Sequence, residues 1–256
     1  MVDEIDQEKL AQRRRLPGIQ WNTPGFLSLL DTLLPYAKEF STTPVDPQNN
    51  FDFWFHNGNF EDYDAISYYA MVRHIKPKRV IEVGCGFSSK VLAKACAQNI
   101  AEDFPVEWTF IEPYPDERFL RNQPEGRFVK KRLQDVPLDY FSSLEANDIL
   151  FIDTSHVLKA QSDCCYQFVE ILPSLKPGVL VHVHDIFSPY DYPADWLLDY
   201  FKAYNEQYAL ECLLSHNPRY EIMLPLHLLF KEHREKLRQL LPNGKTRPAS
   251  FWLRIR

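Results

Sequence analysis

The sequence predicts an α/β fold, a mostly parallel sheet with helices on both faces, preceded by a helical cap. Three observations carry this. From Asp62 onward, short apolar runs alternate with stretches of helical period, as strands joined by helical crossovers do. The stretch "VIEVGCGFSS", residues 80–89, sets Gly84 and Gly86 between an apolar run and a helix candidate. Acids and histidines end several otherwise apolar runs, and open sheets of this kind bind ligands at their carboxyl ends.

Taken in order, residues 1–61 predict a helical cap and loop. "FLSLLDTLLPYAKEF" carries Phe26, Leu29, Leu30, Leu33 and Leu34 at helical spacing, and the Asn-rich, aromatic "NNFDFWFHNGNF" that follows has no clear period. Residues 62–256 predict one main domain. There "DYDAISYYAMVRHI" is a helix, "RVIEVG" a strand, and "SSKVLAKACAQNIA" a helix capped by Ser88 or Ser89. "WTFIEP", "FVKKRL", "DILFID" and "VLVHVHD" supply four further strands. "RYEIMLP" and "ASFWLRIR" close the chain as strands around a polar helix, "LLFKEHREKLRQLL".

Composition narrows the function. With 256 residues, 45% of them hydrophobic, the chain can bury one large core, or one core and a small appendage. A net charge of -6 leaves no broad basic surface, which argues against non-specific nucleic-acid or anionic-membrane partners. Five cysteines, without C-x-x-C spacing, argue against a disulfide framework or a cysteine zinc site. The charged "MVDEIDQEKLAQRRR" lacks a signal-peptide core, and no apolar window reaches the roughly 18 residues of a membrane span. A soluble, cytoplasmic protein is expected.

The two glycines let a ligand approach the backbone closely, or simply make a tight turn. A dinucleotide fingerprint would put a third glycine where Ser89 stands, which disfavours a nicotinamide-dependent oxidoreductase, whereas E-x-G-x-G is intact. Glu112 ends the next strand, placed to accept ribose hydroxyls or to be a surface acid. Gln134 and Asp135 end the third, as base contacts or helix caps. Asp153 ends the fourth, and His182, His184 and Asp185 the fifth.

This order of residues resembles the class I S-adenosylmethionine-dependent methyltransferases over residues 62–256. More narrowly, "FIDTSH" and "KPGVLVHVHDIF" resemble the small-molecule O-methyltransferases of natural-product and sugar pathways. The resemblance implies a Rossmann-like seven-stranded sheet of order 3-2-1-4-5-7-6, with the last strand antiparallel. It implies S-adenosylmethionine held by Glu82, Gly84, Cys85, Gly86 and Ser88, ribose by Glu112, and adenine by Gln134 and Asp135, with Asp153 at the methyl end. In metal-dependent relatives a carboxylate after the fourth strand and two ligands after the fifth hold the ion. By position these are Asp153, His184 and Asp185.

Mixed oxygen and imidazole donors suit manganese, iron or zinc better than magnesium. Without a metal, His184 or His156 is the alternative general base, oriented by Asp153 or Asp185. His182 lies deeper in its strand, as a core histidine bonded to a carbonyl would. The acceptor wall is expected in "FSPYDYPADWLLDYFKAYNEQY", with flat surface from Tyr190, Tyr192 and Trp196 and hydrogen bonds from Asn205 and Glu206. Core packing competes with that reading for the aromatic residues. The leading expectation is O-methylation of a small or medium metabolite; a non-catalytic, cofactor-binding partner subunit is the remaining alternative.

Overall fold

The computed structural model describes residues 5–47, 52–116 and 125–256. Seven strands make one sheet: β1 Arg79–Val83, β2 Glu107–Ile111, β3 Arg127–Val129, β4 Ile149–Ile152, β5 Leu180–Val183, β6 Tyr220–Pro225 and β7 Phe251–Ile255. Their order is β3-β2-β1-β4-β5-β7-β6. The first five pair in parallel, and β7 runs antiparallel to both β5 and β6. This is the Rossmann-like sheet expected from the sequence.

The central strands β4 and β5 are buried along their whole length because helices cover both faces. β3 is shorter than "FVKKRL" suggested. It ends at Val129, and the next three residues, Lys130, Lys131 and Arg132, are exposed at the sheet edge, where long charged side chains stay solvated.

Helix α1, Thr23–Phe40, is capped by the Asn22 side chain and buries Phe26, Leu30, Leu33, Ala37 and Phe40 at helical spacing. These residues share one buried cluster with the sheet. Helix α2, Asp62–Ile75, is buried from Asp62 through Arg73. Its Arg73 is 1% exposed and bonds Glu39 of α1 at 2.9 Å and Glu102, beyond helix α3, Phe87–Ala101, at 2.5 Å. A buried guanidinium needs such partners, so this pair of bonds ties the three helices together. At the other end of α2, Asp64 accepts hydrogen bonds from the backbone of Ala249 and Ser250, which fixes the approach to β7.

Two helix limits differ from expectation. α3 begins at Phe87 with Gly86 as N-cap, so Ser88 and Ser89 lie inside the first turn and their hydroxyls turn to other partners. The polar helix near the C-terminus breaks at His233 into Leu226–Glu232 and Arg234–Leu237. Helix α4, Glu206–Leu214, packs beside the site described next. No described helix is long and apolar enough to cross a membrane.

Candidate active site

Two cavities adjoin at the carboxyl edge of β1, β2 and β4. One of about 600 Å³ is lined by Gly84, Cys85, Gly86, Ser88, Glu112 and Asp153, with Trp54, Phe60 and Lys90 on its outer side. The other, of about 390 Å³, shares Gly84, Glu112 and Asp153 and continues past Tyr114, Gln134 and Lys159.

The two glycines have different reasons to be bare. Gly84 has φ +78°, and a Cβ there would lie 2.0 Å from the carbonyl oxygen of Asp153, so it serves the close approach of β1 to β4. A Cβ on Gly86 would meet nothing within 4 Å, so this residue leaves space for a ligand.

Glu82 departs from its expected place as a cofactor contact. It is fully buried and lines neither cavity. Its carboxylate accepts hydrogen bonds from Tyr68 at 3.1 Å and Ser88 at 2.9 Å, and from Ser89. Burial pushes its pKa up to about 7 against the pull of these donors. The Ser89 hydroxyl in turn accepts from the Gly86 N–H at 3.1 Å, so the acid braces the glycine turn from beneath.

Glu112 lines both cavities and accepts a hydrogen bond from the Tyr114 N–H at 2.8 Å. Gln134 lines the smaller cavity and donates to the Gln161 carbonyl. Asp135 does not line it. It is exposed and paired with Arg132 at 2.8 Å, because its one turn of 3-10 helix points the carboxylate back along the chain.

Past the ends of β4 and β5, Asp153, His156 and Asp185 come together. One donor atom from each lies within 4.8 Å of the others, close enough for a single ion to touch all three. His156 Nε2 is 3.2 Å from Asp153 and 3.4 Å from Asp185, while its Nδ1 is bonded to the fully buried Glu206. Glu206 thereby fixes the ring with Nε2 facing the two aspartates, as a carboxylate behind a metal-binding histidine does. His156 and Asp185 both have positive φ, 60° and 61°, so two strained backbone positions turn these side chains inward.

His184 is therefore displaced from the expected ligand set. It is buried on the far side of the aspartates, 3.6 Å from Asp64 and Asp153 and 3.4 Å from Asp185, distances of ion pairing. Neither of its ring nitrogens has a hydrogen-bond partner among the described residues. Burial works against its charge, but Asp185 and Asp153 outweigh burial and raise its pKa well above the usual range. Burial likewise opposes charge on His156, and Glu206 and Asp153 likewise win. The surrounding carboxylates thus favour the charged form of both rings. Asp153 is the reverse case: burial resists its ionisation, but His184 and His156 hold its carboxyl well below the usual range.

His182 has no carbonyl partner, contrary to expectation. It stacks on Trp252 at 4.2 Å with Phe151 and Tyr68 at its edges, and burial lowers its pKa well below normal, keeping it neutral.

The expected acceptor wall is mostly structural. The Tyr190 hydroxyl donates to Glu232, and that of Tyr192 accepts from the Gln207 N–H; both tyrosines are buried. Trp196 packs edge-on against Phe187. Asn205 accepts from the Leu158 N–H and anchors that loop, and Glu206 holds His156. Packing won because the chain after β5 folds back onto α4. Sequence reasoning missed Tyr204, whose ring lies 4.4 Å from that of His156, and Asp64, two residues into α2. Trp54 and Lys90, which line the larger cavity, were also missed.

The sheet order, with a glycine turn after β1, an acid after β2 and a polar cluster after β4 and β5, is the Rossmann-like arrangement that the resemblance implied. Residues 81–186 match a protein family described as a methyltransferase domain. That match spans less than half of the chain. Among curated proteins it is 32% identical over 140 residues to an uncharacterized protein of Archaeoglobus fulgidus, a match covering 52% of this chain and 61% of that one, so less than two thirds of the relative is spanned. Among solved structures, a TDP-rhamnose 3'-O-methyltransferase of calicheamicin biosynthesis is 15% identical, covering 94% of this chain and 99% of that one, with a TM-score of 0.47. A putative methyltransferase from Thermobifida fusca is 10% identical, covering 92% and 99%, with a TM-score of 0.38. Nothing about this chain's acceptor follows from likenesses at that level.

Proposed function

We propose that the protein methylates a hydroxyl oxygen of a small molecule, assisted by a divalent cation at Asp153, His156 and Asp185. The observation that carries this is Glu206 behind His156, which leaves Nε2 aimed at two converging carboxylates. A nitrogen donor among oxygens favours manganese, iron or zinc over magnesium. Such a cation, when bound, lowers the pKa of a hydroxyl beside it.

The chain's own groups do the rest. The adenosyl part of the donor occupies the smaller cavity, with Glu112 at the ribose and Gln134 toward the base. The glycine turn places the sulfonium beside Asp153, which lines both cavities. The acceptor oxygen's electron pair forms the new bond to the methyl carbon, and the carbon–sulfur pair returns to sulfur. The hydroxyl proton leaves toward the carboxylates. Positioning the oxygen in line with that bond supplies most of the acceleration. Residues 1–61 act in this reading as a cover, since Trp54, Asn59 and Phe60 wall the larger cavity.

A second, metal-independent reading is favoured by Asp185, whose carboxyl burial pushes up despite His184 and which could take the acceptor proton. Titration of Mn²⁺ into protein stripped by chelation separates the two. The metal reading expects binding that is lost in His156→Ala and Asp185→Asn, with S-adenosylhomocysteine affinity retained in His156→Ala. Wild-type protein that takes up no manganese, iron or zinc overturns it.

A further inference from the structure

The chain between β5 and α4 brings a cation to the carboxylate–histidine cluster. After the short helix Ala194–Leu198 it turns at Phe201, whose φ is +51°, and comes back along that helix, with the Lys202 N–H donating to the Trp196 carbonyl at 2.8 Å. Further on, the Asn205 N–H donates to the His156 carbonyl at 3.0 Å, so the returning segment is fastened to the cluster itself. Lys202 and Tyr204 stand between the helix and that second anchor. The Tyr204 ring lies 4.4 Å from that of His156 and meets Trp196 edge-on at 5.6 Å. The Lys202 Nζ sits 3.5 Å from the ring centroid of Trp196 and 5.1 Å from that of Tyr204. The two rings fix where the ammonium stands without giving its N–H donors an oxygen.

Among the described residues the Lys202 ammonium has neither a hydrogen bond nor an ion pair, and the Tyr204 hydroxyl has no hydrogen-bond partner. The lysine's charge nonetheless reaches the cluster: burial raises the Asp185 carboxyl, and Lys202 is among the cations that oppose the rise. The balance of charge points to a class of ligand. Glu206 is engaged with His156, and Asp64 lies against His184. A divalent cation at the cluster is balanced by Asp153 and Asp185, which leaves the Lys202 charge unmatched beside it. We propose that Lys202, with the Tyr204 hydroxyl, binds a carboxylate of the acceptor, so that the substrate is a small hydroxylated carboxylic acid. This rests on the cation-assisted methyl-transfer reading and names the substrate class for it. A single ammonium is a point charge that balances one carboxylate, whereas a phosphate dianion would keep a negative charge facing Asp185. The carboxylate anchors one end of the acceptor beside Tyr204 and leaves its hydroxyl to reach the two aspartates on the other side of the His156 ring.

Two probes test this: 3,4-dihydroxybenzoate and its methyl ester both present vicinal hydroxyls to a cation, and only the acid carries a charge to set against Lys202. Calorimetric titration of each into wild-type, Lys202→Met and Lys202→Arg proteins, loaded with Mn²⁺ and S-adenosylhomocysteine, is the experiment. Wild-type protein is expected to bind the acid about 10- to 100-fold more tightly than the ester, the size of one charged hydrogen bond. Lys202→Met should erase that preference while leaving the affinities for the ester, Mn²⁺ and S-adenosylhomocysteine within about twofold. Lys202→Arg should restore most of it. A folding defect would weaken all the ligands together, so the acid-to-ester ratio is its own control. Equal binding of acid and ester by the wild type, binding of neither, or a preference that survives in Lys202→Met overturns the proposal, as does tighter binding of phenyl phosphate than of benzoate. Protein that takes up no manganese overturns the cation reading instead, and the acid-to-ester ratio in ion-free protein loaded with S-adenosylhomocysteine then tests Lys202 by itself.

Discussion

Gly84 and Gly86 stand two residues apart in one turn, and the structure assigns them opposite consequences on substitution. Gly84→Ala forces an L side chain to φ +78°, which costs about 1–2 kcal/mol. Its Cβ also starts 2.0 Å from the Asp153 carbonyl oxygen, a backbone atom at the end of β4 that cannot swing away as a side chain would. Displacing it adds the roughly 1–3 kcal/mol typical of overpacking. The sum, about 2–5 kcal/mol, corresponds to a fall in Tm of roughly 4–20 °C for a chain of this size. Gly86→Ala meets nothing within 4 Å at φ 178°, so Tm should move by only about 1–3 °C. Gly86→Val, whose branches enter the larger cavity, should keep its fold and lose about tenfold or more in S-adenosylhomocysteine affinity. Thermal unfolding and calorimetry on the three variants read both quantities. Wild-type stability in Gly84→Ala, or native affinity in a folded Gly86→Val, would refute the division of roles.

Two other variants probe the buried acids. Glu82 has a folded pKa of about 7 against 4.5 when unexposed to the fold, so the native state binds more protons than the unfolded chain between those values and stability falls as pH rises through that window. Glu82→Gln should remove about 3 kcal/mol of that fall, and a pH-stability curve unchanged in slope from pH 4.5 to 7 would contradict it. Glu206→Gln should lower Mn²⁺ affinity by about 10- to 100-fold by freeing the His156 ring, with S-adenosylhomocysteine affinity unchanged; equal loss of both would show general loosening instead.

The sheet was legible because each strand is a short apolar run bounded by charged or turn residues, and buried parallel strands leave little freedom to read otherwise. "DILFID" and "VLVHVHD" became β4 and β5 for that reason. Glu112 and Asp153 were legible too, since their positions follow from strand ends alone. What the sequence hid depends on how loops return. His156 was legible only as an alternative base, and nothing local in "FIDTSHVLK" sets its ring between the two aspartates; it is drawn inward by Asn205, which bonds the Leu158 N–H, and by Glu206 one residue later. The same return of the chain onto α4 buried Tyr190 and Tyr192. Asp64 could have been suspected from the acid-rich start of α2, but its partners, the Ala249 and Ser250 N–H groups and His184, are far away in sequence. The acid in E-x-G-x-G was read at the right position with the wrong partner, because a spacing motif does not say which face of β1 a side chain takes.

His182 in β5 and His184 just past its end show how a cluster so rich in carboxylates is held inside the fold. They stand two residues apart, yet their surroundings shift them in opposite directions. His182 sits among Trp252, Phe151 and Tyr68, with no acid in contact, and is kept neutral by burial and by the like charge of its neighbour. His184 reaches the mouth of the sheet, where Asp64, Asp153 and Asp185 approach from α2, β4 and β5. Converging carboxylates repel, and burial multiplies that repulsion. The His184 imidazole among them favours the ionised carboxylate of Asp153, and Asp185 and Asp153 in turn favour its charged form. His184 thus lies against three aspartates, while His156 is bonded to Glu206 with Nε2 toward Asp153 and Asp185. That division follows from which acids each ring touches.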